Sequence, residues 1–557
     1  MRYALFFLVF SVFSLSVNSP ALAQGCLWAK SAGGTLTGTD QATAVTTDAW
    51  GNVYMVGSFE SDTITFGTDT LINAGANNIF IVKYDTCGNL LWAKNAGGTW
   101  FDAPLAVATD PRGNVYVGGY YSSPSITFGT TTLTNPYGTV SQEMFIARYD
   151  SAGNSIWAKG YGNYHEDGVT GIVTDTSGNI YMTGYFGSTF VDFDATTLTS
   201  AGGKDVFLVK YDSSGNLQWE KRAGGSGDDA AGALAIDPSG NLIIAGYFIG
   251  STCIFGATTL TNAGLATTDG FLAKYTPTGS VVWANRVGGS ADDKATSVAT
   301  DTAGNIYMGG YFNSPVISLG GASFTNAGST DGFLVQCNPA GSIIWANQVG
   351  GNDADEVTSV ATDIAGNIYA GGYFASATLA VGTTTLTNNG SYDIFLAKYS
   401  PSAGNTIWAR NAGGSGSDYS NTIATDAKRS MYIAGYFSSP TLTFHSTTLT
   451  NPGGLHVYIA KYDSSAYDPT LAVSEIKAED ANAIVFPNPA SEKINLLLKD
   501  ASVQAVTIYN CLGKKIYESD ITGSATAIDV SALASGVYYL KASGNSFTAN
   551  ISFVILH

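Results

Sequence analysis

One acidic position recurs along this sequence. Ten residues after six of its tryptophans comes an aspartate: Asp102, Asp167, Asp229, Asp293, Asp355 and Asp418. Asp40 follows Trp28 by twelve residues, and four more acids lie directly beside members of this set: Glu166, Asp228, Asp292 and Glu356. Carboxylates gathered in this way could bind a cation or form a pair for acid–base catalysis. Each could equally accept backbone N–H groups of its own turn. Because the residue recurs in every repeat, we favour that structural role and predict no metal site.

Other signatures of catalysis are missing from the sequence. The chain has no HExxH zinc motif, no GxSxG elbow and no phosphate-binding loop. None of its four histidines lies in the context of a catalytic triad: His165, His445, His456 and His557. We therefore predict no catalytic residue and no cofactor.

The loops after Trp92, Trp157 and Trp408 depart from the repeat. They carry aromatic and charged side chains where other repeats have Gly, Ser or Ala: Trp100, Phe101, Tyr161, Tyr164, His165, Glu166 and Tyr419. Aromatic rings close to acids can stack on sugars and bond their hydroxyls, and exposed aromatics also anchor protein partners. The alternative is that these residues fill a channel or pack locally. We predict that they, rather than the recurring acids, form a ligand-binding site.

These loops belong to a repeat architecture. Seven tryptophans recur at intervals of 62 to 65 residues, a fixed period typical of repeat proteins: Trp28, Trp92, Trp157, Trp219, Trp283, Trp345 and Trp408. Each repeat has four strand-like segments, and the second, for example Asn305 to Phe312, is apolar on both faces. Such a strand is covered on both sides, as in a sheet between two similar sheets. The sequence therefore predicts an all-β fold, a seven-bladed β-propeller.

Two further details belong to this prediction. The mature chain opens with a tryptophan strand and the array closes with a third strand, so Trp28 is expected beside Val457 to Tyr462, where its strand completes the last blade. Segments between second and third strands, such as Thr383 to Gly390, alternate Thr with apolar residues and predict a small extra hairpin in each blade. We assign the repeated tryptophans to packing between blades and the D-x-x-G-N segments to hairpin turns.

The repeats resemble a known family. The segment DTAGNIYMGGYF (Asp301 to Phe312), with the strand and the tryptophan segment that follow it, is similar to the bacterial β-propeller repeats called SBBP. The resemblance covers about residues 26 to 463. It implies a secreted or surface propeller and no single shared activity.

Composition and the N-terminus indicate export. The 43 acidic residues outnumber the 25 Lys and Arg, and the net charge of −18 argues against nucleic acid and anionic lipid as partners. Residues 1–23 have the charged start, apolar core and Ala21-Leu22-Ala23 end of a signal peptide, with a lipoprotein signal at Cys26 as the alternative. No later run reaches the ~20 apolar residues that span a bilayer. Five cysteines, an odd number, leave at least one thiol unpaired within the chain.

The repeat pattern stops after Tyr462. Residues 24–463 are assigned to the propeller, residues 464–483 to a polar linker, and residues 484–557 to a small antiparallel β-sandwich. The last region resembles the type A C-terminal sorting domain of type IX secretion, on the following residues: Pro487, Asn488, Pro489, Gly513, Gly536 and Tyr538. It departs from the family in ending on Phe553 to His557 rather than on a basic strand. The resemblance implies export by the type IX machinery, which can remove the domain and attach the remainder to the surface.

Together these features predict a secreted or cell-surface binding or adhesion protein. We expect a monomer whose partners are the secretion machinery and an extracellular glycan or surface protein. One alternative is a hydrolase or lyase of extracellular polysaccharide, with Glu166 and Asp167 beside His165 as its candidate acids. The other is a structural component of a surface layer.

Overall fold

The tryptophan repeats form antiparallel β-sheets, seen in a computed structural model of the chain. The structure describes residues 26–34, 38–264, 266–444, 447–463, 483–486, 490–498, 503–510, 514–520, 525–533, 536–544 and 548–555. The predicted signal peptide, nearly all of the predicted linker, and Pro487, Asn488, Pro489 and Gly513 lie outside the described residues.

Seven sheets each contain four main strands, and in six of them the order across the sheet follows the chain. The inner strands of blades 1 to 7 are: Asp40–Thr47, Asp102–Thr109, Asp167–Thr174, Asp229–Ile236, Asp293–Thr300, Asp355–Thr362 and Asp418–Thr425. The second strands are: Val53–Phe59, Val115–Tyr121, Ile180–Phe186, Leu242–Ile249, Ile306–Phe312, Ile368–Phe374 and Ser430–Phe437. The third strands are: Asn78–Tyr84, Glu143–Tyr149, Asp205–Tyr211, Thr268–Tyr275, Asp331–Cys337, Asp393–Tyr399 and His456–Asp463. The outer strands are: Leu90–Ala96, Ser155–Tyr161, Leu217–Gly225, Val281–Val287, Ile343–Val349, Thr406–Ala412 and Cys26–Ala32.

The inner strands close a ring. Each contacts the inner strand of the next blade, and that of blade 7 contacts that of blade 1. At this junction the Thr47 hydroxyl donates to the Thr425 carbonyl at 2.8 Å. The outer strand of blade 7 is the N-terminal strand, in which Trp28 pairs with Lys461. The structure thus shows a β-propeller, with seven sheets of four main strands each among the described residues, and the predicted pairing of the Trp28 strand with the last third strand.

Both faces of each second strand are buried because each blade packs between two others. In blade 5, Ile306 and Met308 enter the core shared with blade 4, whereas Tyr307 enters the core shared with blade 6. Gly309 allows the close approach of blade 6, because a Cβ there would lie 2.6 Å from Cγ1 of Val357. The apolar residues on both faces of the second strands are therefore explained by the packing of each sheet between two others.

The repeated tryptophans join each blade to the next. The indole N–H of Trp283 in blade 4 donates to the Pro339 carbonyl in the turn before the outer strand of blade 5, at 3.3 Å. A Cβ on Gly341 of that turn would lie 2.9 Å from the Trp283 ring. In the D-x-x-G-N turns, Asp301 accepts from the Asn305 N–H at 2.9 Å, and Gly304 has a φ of 80°. Both assignments made from the sequence hold.

A small hairpin follows the second strand in every blade, as predicted. The two strands of the seven hairpins are: Thr63–Phe66 and Asp69–Ile72, Ser125–Phe128 and Thr131–Thr134, Phe190–Phe193 and Thr196–Thr199, Thr252–Phe255 and Thr258–Thr261, Val316–Leu319 and Ala322–Thr325, Thr378–Val381 and Thr384–Thr387, Thr441–Phe444 and Thr447–Thr450. Blade 2 adds a 3-10 helix at Gly138–Val140. The hairpin of blade 4 also pairs with the outer strand of blade 3, where Gly225 lies opposite Cys253.

The C-terminal region forms a separate compact unit, and the chain divides into units Met1–Ala466 and Tyr467–His557. One sheet of this second unit contains Ala483–Phe486, Lys493–Leu498 and Ala525–Asp529. The other contains Lys515–Asp520, Val503–Asn510, Gly536–Gly544 and Thr548–Ile555. A single apolar core draws on both sheets and includes Tyr538 of the predicted sorting motif. The predicted β-sandwich is confirmed.

No α-helix among the described residues is long and apolar enough to cross a bilayer. Of the cysteines whose side chains are described, Cys87, Cys253 and Cys337 are free thiols.

Candidate functional site

The side chains predicted to carry function meet at one end of the propeller, which we call the loop face. It is the end at which the inner strands begin and the second strands finish. The loops from outer to inner strands and the connections that follow the hairpins lie there as well, since Asn77 and Phe101 form a bridge between two of them. The loop face therefore collects side chains from three segments of each blade.

The recurring aspartates at this end are structural. All seven are fully buried. In blade 2, Asp102 accepts from the Gly98 N–H at 2.7 Å and the Ser123 hydroxyl at 2.8 Å. It thereby ties the loop before the inner strand to the loop after the second strand. Burial raises the pKa of Asp102 to about 6, and no group of three or more metal-ligating side chains occurs in the described part of the chain. The favoured structural role agrees with this placement.

The acids beside this set have different surroundings. Glu166 forms an ion pair with Lys204. Asp228 accepts from the Lys204 N–H at 2.9 Å, and Asp292 accepts from the Thr268 N–H at the same distance. Asp167 is held like Asp102, through the Ser188 hydroxyl at 2.9 Å. The proposed catalytic pair thus consists of one structural carboxyl and one ion-paired carboxyl.

A second set of buried acids was not foreseen. It occupies the start of the third strand in five blades: Glu143, Asp205, Asp269, Asp331 and Asp393. Burial raises the pKa of Glu143 to about 8, and Asp167 adds to this rise. Burial likewise raises the pKa of Asp229 to about 8, with a contribution from Asp205. These carboxyls are buried inside the blades.

The repeated side chains that stay accessible are tyrosines. Six second strands carry one next to their last aromatic residue, and each is half-buried: Tyr120, Tyr185, Tyr247, Tyr311, Tyr373 and Tyr436. We call this set the tyrosine ring, because one comes from each of blades 2 to 7. Members of the ring lie close enough together to affect one another. Burial raises the pKa of Tyr185 most, and Tyr120 and Tyr247 add to this rise. Blade 1 has the fully buried Ser58 at this position.

Charged side chains lie over the tyrosine ring. The ammonium group of Lys204 is 4.7 Å from the centroid of Tyr185, and that of Lys294 is 4.4 Å from Tyr247. Glu356 and Tyr373 are joined by a hydrogen bond between their side chains. Burial raises the pKa of the Glu356 carboxyl. Phenol hydroxyls, ring faces and compensated charges are groups that recognise polar ligands by stacking and hydrogen bonding.

Most of the predicted loop residues lie around this ring and are exposed. Trp100 and Phe101 are 43% and 42% exposed and pack edge to face with centroids 5.4 Å apart. Tyr164 is 56% exposed and contacts both His165 and Tyr137, the latter an aromatic residue that sequence reasoning missed. His165 and Glu166 are exposed as well.

Two predicted residues differ from this group. Tyr161 was expected in a loop, and this placement was wrong: it ends the outer strand of blade 2, is buried, and accepts from the Tyr211 hydroxyl at 2.8 Å. It occupies the buried strand end that Ala96 occupies in blade 1. Tyr419 lies in the inner strand of blade 7 and is half-buried between Tyr373 and Tyr436, with centroids at 4.8 and 4.9 Å.

Family comparisons support both parts of the chain. Residues 282–315 and 344–373 match the family described as beta-propeller repeat, SBBP. Residues 484–556 match the secretion system C-terminal sorting domain. The chain is thus a propeller with SBBP repeats followed by a type IX sorting domain, which directs it to the cell surface or the medium.

Curated relatives are distant. An uncharacterised WD repeat-containing protein of Acanthamoeba polyphaga mimivirus is 25% identical over 76% of this chain and 37% of its own length. A regulatory protein of Caulobacter vibrioides is 25% identical over 52% of this chain and 31% of its own length. The chain therefore spans only about a third of each relative.

Solved structures with a similar arrangement include a puromycin hydrolase, with a TM-score of 0.39 and 11% identity over 82% of this chain and 58% of that one. A fungal alcohol oxidase in complex with copper gives a TM-score of 0.38 and 12% identity over 96% of this chain and 100% of that one. Similarity at this level says nothing about the activity of this chain.

Proposed function

Because the chain is an exported propeller with a sorting domain, we propose that it is a binding protein of the cell surface or medium whose ligand docks on the loop face. The observation that carries this proposal is the tyrosine ring. Among the side chains that the blades share at this end, the aspartates are buried in contacts within their own blade, whereas the tyrosines stay half-exposed. Exposed aromatics from neighbouring loops surround them.

Energetics favour this face for binding. Aromatic side chains contribute large contact areas at a small cost in conformational entropy, and they dominate binding energies at interfaces. Their hydroxyls can both donate and accept hydrogen bonds. A rigid propeller keeps such groups in place before the ligand arrives, which reduces the entropy lost on binding.

The test is a binding screen with the mature full-length chain. Fluorescently labelled protein is applied to an array of extracellular polysaccharides and to intact bacterial cells, together with a variant carrying Tyr120→Ala, Tyr311→Ala and Tyr436→Ala. We expect the wild type to bind and the triple variant to lose binding at least about tenfold, since each aromatic contact contributes about 0.5–1.5 kcal/mol.

The matched control is Trp50→Ala. Trp50 is 57% exposed but lies in the turn between the inner and second strands, at the opposite end of the blade. It should bind like the wild type. Equal binding by the triple variant would refute docking on the loop face, and absence of binding to every polysaccharide and cell would favour a structural surface component.

A further inference from the structure

Side chains from the inner strands cover part of the tyrosine ring. The second residue of each inner strand lies next to the ring tyrosine of the preceding blade. Lys294 of blade 5 lies over Tyr247 of blade 4, and Tyr419 of blade 7 packs on Tyr373 of blade 6. Glu356 of blade 6 is close enough to Tyr311 of blade 5 to raise its pKa, although burial contributes more.

This covering layer is interrupted in blades 2 to 4. The second residues of these inner strands are Ala103, Gly168 and Ala230, and all three are buried. No long side chain from the next blade can therefore cover Tyr120 or Tyr185. Blade 1 widens the gap, because Ser58 replaces the ring tyrosine there. Tyr120 and Tyr185 thus lack cover from an inner strand, although Lys204 of blade 3 lies over Tyr185. We call this part of the ring the open sector, and the part where Lys294, Glu356 and Tyr419 lie next to ring tyrosines the covered sector.

The unusual loops surround this same sector. Trp100 and Phe101 lie in the loop that enters blade 2, and Tyr164 and Glu166 lie in the loop that enters blade 3. Tyr137 reaches Tyr164 from the hairpin connection of blade 2, with centroids 5.8 Å apart. Small inner residues and aromatic loops are independent departures from the repeat, and they coincide in space.

Charge within the sector is already compensated. Glu166 pairs with Lys204, and the Lys204 ammonium lies 4.7 Å from the Tyr185 ring. Gly168 lets the Tyr185 ring lie against the inner strand, because a Cβ there would be only 3.0 Å from the phenol oxygen. An ion that docked here would face both signs of charge, whereas sugar hydroxyls can donate to the carboxylate and accept from the ammonium group and the phenol.

We propose that this open sector binds an uncharged carbohydrate, with a sugar ring stacked on Tyr120 and its hydroxyls bonded by Tyr185, Glu166 and Lys204. The inference rests on the proposed binding function and narrows it to one sector and one ligand class. Trp100 and Tyr164 then provide flanking surfaces for adjacent sugar units of a chain.

The experiment compares the open sector with the covered one. Binding of the mature full-length chain to neutral oligosaccharides, and to uronic-acid and sulfated oligosaccharides, is measured by calorimetry. We expect Tyr120→Ala to weaken neutral binding about tenfold or more, and Tyr120→Phe to preserve most of it because stacking remains. Tyr436→Ala in the covered sector should leave it unchanged.

A second variant tests the open sector by adding a side chain that blocks it, rather than by removing one. Ala230→Gln introduces at blade 4 the residue type that blade 1 has at Gln41, so the new side chain should cover Tyr185 and weaken binding. Thermal unfolding verifies that each variant is folded. Two results would overturn the sector assignment and leave docking on the loop face intact. One is loss of binding in Tyr436→Ala but not in Tyr120→Ala, and the other is binding of charged oligosaccharides alone.

Discussion

Asn78 begins the third strand of blade 1, where other blades have the third-strand acids. In its hydrogen-bonded orientation, the amide oxygen accepts from the Ala74 N–H at 2.9 Å and the nitrogen donates to the Gly98 carbonyl at 3.2 Å. In blade 5, Oδ2 of Asp331 accepts from the equivalent Ala327 N–H at 3.0 Å. Its Oδ1, in place of the amide nitrogen, is buried and has no hydrogen-bond partner among the described residues. Burial raises the pKa of the Asp331 carboxyl, and a proton on Oδ1 would let it donate as the amide nitrogen of Asn78 does.

This geometry predicts that the propeller becomes less stable as pH rises. Burial raises the pKa of Glu143 and Asp229 to about 8 and that of Asp393 to about 6. The unfolded chain releases these protons near pH 4, so the stabilisation is complete below that pH and is lost as pH rises through 6 to 8. We expect the unfolding temperature to fall between pH 5 and pH 8.5.

The Asp393→Asn variant isolates one such site. It introduces the amide that blade 1 already has, so at pH 8.5 it should be more stable than the wild type by on the order of 2 kcal/mol, with a smaller difference at pH 5. The exposed Asp62→Asn serves as the control. Two results would contradict a proton on the buried Asp393 carboxyl. One is equal stability of Asp393→Asn and wild type at both pH values, and the other is destabilisation of the wild type by a chelator, which would indicate a bound cation instead.

At the level of elements, hydrogen bonds from threonine hydroxyls join each inner strand to that of the preceding blade. Six of the seven inner strands end in threonine, and its hydroxyl donates to the last residue of the preceding blade's inner strand, as Thr362 does to Thr300 at 2.7 Å. Blade 4 ends in Ile236 instead, which shows that the site accommodates an apolar side chain. The hydroxyl bonds thus add to a ring that packing already forms.

Thr47→Val tests the bond that closes the ring. It removes the donor to the Thr425 carbonyl at almost constant volume, so we expect the free energy of unfolding to fall by about 1 kcal/mol. Urea unfolding followed by tryptophan fluorescence measures this, because all nine tryptophans precede residue 409. Thr65→Val, which removes an exposed hairpin bond to Thr70, should have a smaller effect. Equal effects would show that ring closure gains nothing from this hydroxyl.

The strand pattern was predictable because periodicity reports which face of a sheet a residue occupies. Tyr307 and Tyr311 share one face of the same strand, as the sequence indicates. Only the structure shows that Tyr307 is fully buried whereas Tyr311 is half-exposed, although each lies one residue from an end of the strand. The recurrence of tyrosine beside the last aromatic residue was the available signal for the ring.

The exposure of the predicted loop residues agrees with the structure in part, for a related reason. Exposure of Trp100 and Tyr164 followed from loop composition, since a large aromatic residue in place of glycine has no blade core to enter. Tyr161 failed this rule because the outer strand extends to it, and the strand end is buried in every blade, for example at Val349 and Ala412. When a predicted loop boundary is wrong by one residue, the predicted exposure of the side chain at that residue is reversed.

On the scale of the whole molecule, the propeller and the sandwich each have cores of their own. The cores of the blades draw on residues up to Tyr462, and the sandwich core begins at Val485. The predicted linker, residues 464–483, falls between them in the sequence. We propose that the two units fold independently, as export with later removal of a sorting domain would require.

Calorimetry of the mature chain tests this independence. We expect two unfolding transitions, because each unit buries its own apolar core. Tryptophan fluorescence should follow only the propeller transition, since residues 467–557 contain no tryptophan. A fragment that ends at Ala466 should retain that transition at the same temperature and the same loop-face binding. A single transition reported by both methods, or a propeller that unfolds at lower temperature in the fragment, would mean that the two units are coupled and that removal of the sorting domain alters the exported protein.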